Sequence, residues 1–216
     1  MDPGIGRLQL IRHAVLFVRG DGVTAEQVLR AKEGMAYCYY GSGVLALDFG
    51  EDLGVGEPAN YDFGLVHDHR DREAWDAYNK NDTHHRVGEY IKTITKTDRV
   101  ARVDWTYDGP PSTRGRIRHM AMYRWRDGVD DAAKAAVRKA LKALPAACPT
   151  VRWLGVADDL LWFPPNYDWI VESHFDDPEG LKAFLDNPAQ RKAAALIAAS
   201  TKADAVAQLQ HRMLAG

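Results

Sequence analysis

Ile11-Arg12-His13-Ala14-Val15-Leu16-Phe17 decides the fold, because the chain states its opening again 106 residues later as Ile117-Arg118-His119. The same offset carries Asp21-Gly22-Val23 onto Asp127-Gly128-Val129 and Asn60-Tyr61-Asp62 onto Asn166-Tyr167-Asp168. A unit of this length is too long for a solenoid repeat and the right size for a small domain. The spacing therefore predicts a duplicated domain whose copies pack as an internal pseudo-dimer.

Reading one copy against the other sharpens the elements. Alternating apolar residues predict strands over 8–18 and 116–125. Thr24 with Gln27 reads as a capping box opening a helix that runs to about Tyr37. In the second copy Ala133, Val137, Ala140, Leu141 and Leu144 mark the equivalent helix, with Pro145 expected to end it. Strands are expected at 44–50 and 61–69 and again at 151–157 and 167–175. Short helices are expected at 71–78 and 177–185, longer ones at 83–95 and 189–200, and last strands near 99–107 and 205–213.

Each half thus reads β-α-β-β-α-β with its second helical region split. The halves span 8–107 and 116–213, and the turn-rich segment 108–115 joins them. A four-stranded sheet with helices on one side leaves its other face bare. Two such sheets cover each other, so the class is α+β, two ferredoxin-like repeats packed sheet to sheet as an intramolecular α/β barrel.

Composition narrows function by exclusion. The formal net charge of -2 offers no footprint for nucleic acid or an anionic membrane. No stretch reads as a signal peptide or a bilayer span, which makes cytoplasm the expected location. Cys38 and Cys148 are not equivalent under the repeat and make neither a disulfide framework nor a zinc site. The glycines and prolines at 54, 56, 58, 164 and 165 mark loops, too loosely arranged to cradle phosphate. The six tryptophans read chiefly as core, with some able to line an aromatic pocket.

The strand Ile11 to Phe17 followed by Asp21-Gly22-Val23, the strand Tyr61 to Val66, and the helical pattern Ala74, Trp75, Tyr78, His84 together resemble the stress-responsive dimeric α/β-barrel (Dabb) family, once in each half. The resemblance implies the fold already drawn. It also implies a comparison with a plant polyketide cyclase of that family, which closes a ring by aldol chemistry without metal or cofactor. Its catalytic Tyr and His, with five residues between them and supported by a first-strand His, fall here on Tyr78, His84 and His13. The second copy has Phe184, Gln190 and His119 at those places, so the chemistry is expected in the first half alone.

The residues support the same expectation on their own. His84 follows Asn81-Asp82-Thr83, a run of N-cap formers. A helix start there would disfavour imidazolium and leave a neutral base. Tyr78 can polarise a carbonyl, and His13 and His67 can orient or relay. The expected function is a cofactor-independent lyase or cyclase that removes a proton next to a carbonyl of a small aromatic or polyketide-like substrate. One alternative is an enzyme holding a divalent transition metal on His13, His67 and His84. The other is a non-catalytic stress-response or ligand-binding protein. His69 and His85 are expected to be satisfied or solvent-facing. Oligomerisation beyond the internal pair stays open.

Overall fold

The structure is a computed structural model and describes residues 9–39, 42–55, 60–163 and 167–214. The first half runs β1 (Leu10–Arg19), α1 (Ala25–Tyr39), β2 (Val44–Glu51), β3 (Phe63–His69), α2 (Arg72–Asn79), α3 (Asp82–Ile94) and β4 (Thr95–Tyr107). The second runs β5 (Ile117–Trp125), α4 (Asp131–Ala147), β6 (Trp153–Asp158), β7 (Trp169–Phe175), α5 (Pro178–Asp186), α6 (Pro188–Ser200) and β8 (Thr201–Arg212). Both sheets are antiparallel and have equivalent orders, β2-β3-β1-β4 and β6-β7-β5-β8.

Strand alternation sorts β1 into two surfaces. Ala14 and Leu16 face the opposite sheet, in a core shared with Val103, Met120, Met122 and Leu209. Val15 and Phe17 face their own helices, packing with Val28, Met35 and Ile91. Burying each large apolar side chain contributes about 1.5–3 kcal/mol, so the inter-sheet layer joins the halves into one body. Gly64 lets the sheets close, because a Cβ there would lie 2.7–2.8 Å from Leu16, Leu209 and the Val15 carbonyl. Its repeat counterpart is Ile170, so the copies fit by being unequal.

Charge is also buried between the sheets. The Arg12 guanidinium donates from Nε and Nη2 to Asp68 at 2.6 and 2.7 Å and from Nη1 to Glu172 at 2.8 Å, and lies 3.3 Å from the Tyr107 ring centre. Arg118 donates to Glu172 at 2.9 Å and to Asp48 at 2.6 Å. The arginines of the repeated Ile-Arg-His are therefore clamps between the halves.

Local chemistry explains most boundaries. The Thr24–Gln27 capping box closes in both directions, at 2.8 and 3.3 Å. Several boundaries differ from the sequence expectation, among them β8, which starts at Thr201 rather than near 205. Pro145 does not end α4; it sits in the last turn, where it forfeits only its own hydrogen bond, and Cys148 N–H caps Leu144. β4 starts at Thr95 rather than near 99: buried Thr95 pairs with Arg19 of β1 past a register shift, and the exposed residues 96–99 that follow carry no apolar alternation to read. Tyr61 precedes β3, so it does not share the helix-facing side of Phe63. Its hydroxyl lies 3.2 Å from that of Tyr167 in the inter-sheet core. Residues 56, 58, 164 and 165 of the two loops lie outside the described residues. Among the described residues no helix is long and apolar enough to cross a membrane.

Candidate active site

Backbone register builds the site. On central strand β1, His13 pairs with His67 of β3 on one side and with Asp104 of β4 on the other, placing all three side chains in one row beneath the helices. α2 begins at Asp71, whose carboxylate accepts from Ala74 N–H, and turns Trp75 and Tyr78 inward. Asn81 caps α3 by accepting from Thr83 and His84 N–H, which places His84 in the first turn.

The row and the helices enclose a cavity of about 830 Å³. His13, Trp75, Tyr78 and His84 line it at the polar end, and Val15, Phe17, Met35, Leu65 and Ile91 supply apolar wall. Tyr78 is the hub: its ring centre is 4.3 Å from that of His84, 4.8 Å from His67, 5.2 Å from His69 and 6.2 Å from His13.

The structure thus brings Tyr78, His84, His13 and His67 together. It also corrects one expectation, since His69 is neither satisfied nor solvent-facing. β3 is covered on both faces, so His69 is fully buried with neither ring nitrogen hydrogen-bonded among the described residues. His85 is exposed.

Electrostatics separates the imidazoles. Burial and then the neighbouring His13 hold His84 at a pKa of about 4. The same causes, with burial first, take His69 to about 3 and His67 well below its ordinary value. All three are neutral at pH 7. His13 differs in having a carboxylate partner: its Nδ1 lies 2.6 Å from Asp104 Oδ1. Burial pushes the Asp104 carboxyl up, but His13, the Trp75 indole N–H at 2.8 Å and Arg102 bring it below its usual value. An ionised Asp104 can only accept, so Nδ1 carries the proton and Nε2 is the basic nitrogen. Burial holds the Tyr78 phenol well above its ordinary pKa, so it remains a hydrogen-bond donor.

Asp104, and Trp75 as its donor, were missed by sequence reasoning. The repeat held the signal: Asp104, Trp75, His67 and His69 become Gln210, Leu181, Ser173 and Phe175, all in the columns where Tyr78 and His84 become Phe184 and Gln190. In the second half His119 has only Gln210 beside it, at 2.9 Å, and Phe175, Leu181 and Phe184 fill the space in one buried cluster. Among the described residues no group of three or more His, Cys, Asp or Glu is arranged to hold a metal ion.

The mouth of the cavity is shared with the second half. Asp159, just after β6, accepts Asp104 N–H at 2.7 Å, and Leu160 N–H donates to the Asp104 carbonyl at 2.7 Å. This anchors a loop whose Trp162 packs on Trp75 at 5.3 Å and whose Phe163 lines the entrance.

An uncharacterised protein of Streptomyces coelicolor is 32% identical over 82 residues, which cover 37% of this chain and 84% of that protein. A dimeric ferredoxin-like protein of unknown function from Thermobifida fusca is 31% identical and covers 49% of this chain and 98% of its own, with a TM-score of 0.43. An anthrone oxidase-like protein shares the fold across 96% of this chain and 92% of its own, at 13% identity and a TM-score of 0.70. The family model described as the stress responsive A/B barrel domain matches residues 11–107 and 117–207. The chain belongs to that family, as a tandem pair.

Proposed function

We propose that the first half is a cofactor-independent enzyme that removes a proton from carbon next to a carbonyl in a small aromatic or polyketide-like substrate. The reaction would be a lyase or cyclase step of aldol, retro-aldol, decarboxylative or eliminative type. The observation that carries this reading is the His13–Asp104 pair beside the apolar wall that Val15, Phe17, Leu65 and Ile91 give the cavity. His13 Nε2 takes the proton, and Asp104 stabilises the imidazolium that forms. The neutral Tyr78 phenol donates to the carbonyl oxygen as enolate charge develops, in a site dry enough to strengthen that bond. His84, packed against Tyr78 with the two rings tilted by 36°, fixes the phenol, and His67 packs edge-on behind it. The base falls to His13 rather than His84 because a lone imidazole held near 4 binds a proton too weakly.

The anthrone oxidase-like neighbour supports the substrate class. An anthrone is an aromatic ketone whose ionisable C–H is conjugated with its carbonyl.

Deuterium exchange tests the proposal without knowledge of the natural substrate. A panel of aryl methyl ketones and aryl β-diketones in D2O is followed by proton NMR with and without protein. Acceleration of C–H exchange for at least one member, lost in His13→Ala, is expected. Binding with no exchange anywhere in the panel would leave a ligand-binding protein instead.

A further inference from the structure

We infer that the substrate carries a carboxylate, and that Arg102 is the residue that holds it; this rests on the first-half cavity being the active site. Arg102 lies on β4 two residues before Asp104 and beside Val15 of β1, so its side chain shares the cavity face with the His13–Asp104 pair. The strand rise sets the two positions about 7 Å apart.

What marks Arg102 is the lack of a hydrogen-bonded anion. The guanidinium is half-buried, and among the described residues it donates no hydrogen bond and makes no ion pair; it lies over the Phe163 ring, 4.2 Å from its centre. Asp104 and Asp159 act on the guanidinium through space and neither is hydrogen-bonded to it, although Asp104 Oδ2 has no partner among the described residues. Asp104 Oδ1 accepts from His13 and Trp75, while Asp159 accepts from the Asp104 and Leu161 backbone N–H groups. Of the other cations at the rim, Lys92 bonds Glu89 at 2.6 Å and Lys202 bonds Asp127 at 2.9 Å, while Arg124 lies over the Tyr167 ring at 5.2 Å, on the second half's strand.

A guanidinium drawn out of water without an anion is costly, and its planar fork matches a carboxylate in two parallel hydrogen bonds. Phe163 holds the fork by stacking and leaves its N–H edges free. The ligand class that satisfies the whole cavity is an aromatic keto acid. Its carbonyl would meet Tyr78, its acidic C–H would meet His13, and its carboxylate would lie about one strand-residue pair away on Arg102.

The test is a binding comparison that needs no turnover. Isothermal titration of the full chain with 4-acetylbenzoate and its neutral isostere 4-acetylbenzamide should show the acid binding about tenfold or more tightly. Arg102→Gln should erase that preference by weakening the acid more than the amide. Arg102→Lys, which keeps the charge and loses the fork, should retain part of it, and circular dichroism checks that both variants fold. His13→Ala should keep the preference although it abolishes exchange, so loss of exchange alone counts against the base and not against Arg102. Equal affinity for the two compounds, no binding of either, or a preference that survives Arg102→Gln would overturn the inference.

Discussion

His13 and His119 occupy the same place in the same repeated motif, and what separates them is one neighbour. Asp104 turns His13 into an oriented base, whereas Gln210 leaves His119 a buried polar group, which burial holds at a pKa of about 4. Tyr78→Phe keeps the ring that packs against four imidazoles and removes only the hydroxyl. The variant should fold with near-unchanged stability and lose exchange activity by about 10²-fold or more, the contribution of one donor aimed at a developing oxyanion.

The buried histidines also set the acid limit of stability. His69, His84, His119 and His211 have folded pKa values of about 3 to 4, against about 6.5 in the unfolded chain. Their folded pKa values are depressed, so between pH 6.5 and 4 the unfolded chain binds more protons. Stability is then fully present above pH 6.5 and drains as pH falls towards 4. Thermal unfolding should show Tm dropping by on the order of 10 °C from pH 7 to pH 5. A flat profile over that interval would mean that these imidazoles are not buried as described.

At the scale of elements, the loop after β6 ties the second half to the first half's chemistry. Asp159 bonds both Asp104 N–H and Leu161 N–H, and Leu161 is held at φ 55°, a left-handed conformation that costs about 1–2 kcal/mol in a residue with a side chain. Asp159→Ala would strand the buried Asp104 N–H at a cost of about 1–3 kcal/mol. Tm should fall by about 2–10 °C and exchange activity should fall with it, although Asp159 does not face the reacting carbon. Unchanged activity would show that Asp104 holds its place without the loop.

Much of this scale was readable beforehand. Alternation in β1 puts His13 on one face with Val15 and Phe17, and the capping runs at Thr24 and Asn81 locate two helix starts. The repeat paired every element with its copy. Asp104 was not readable as a partner of His13, because they lie 91 residues apart and meet only through the β1–β4 register. Arg12 was hidden for a related reason: a charged residue in an apolar strand is ordinarily read as facing water. Here the opposite sheet's Glu172 answers it.

Across the whole molecule, the two halves form one barrel in which duplication has divided labour. Phe184, Leu181 and Phe175 fill in the second half the space that the first leaves open, and the filled half gives its sheet, its Glu172 and its β6–β7 loop to the other. Glu172 sits between Arg12 and Arg118, and both arginines together with burial of the site determine its charge; the net effect holds its carboxyl far below the usual range. Glu172→Gln would leave two guanidiniums short of an anion and should destabilise by about 3–5 kcal/mol. Urea unfolding followed by tryptophan fluorescence and by far-UV circular dichroism should shift together as one transition. Separate transitions for the two halves would contradict a shared barrel.

The central claim is that only one of two equivalent strands carries a working base, and the repeat supplies its own control. Exchange rates in D2O for an aryl ketone turned over by the wild-type chain should be measured in His13→Gln and His119→Gln side by side. The account predicts a loss of about 10²–10⁴-fold for His13→Gln, the usual contribution of a positioned base, and a rate within about twofold of wild type for folded His119→Gln. Equal losses in the two variants, or full activity in His13→Gln, would contradict it.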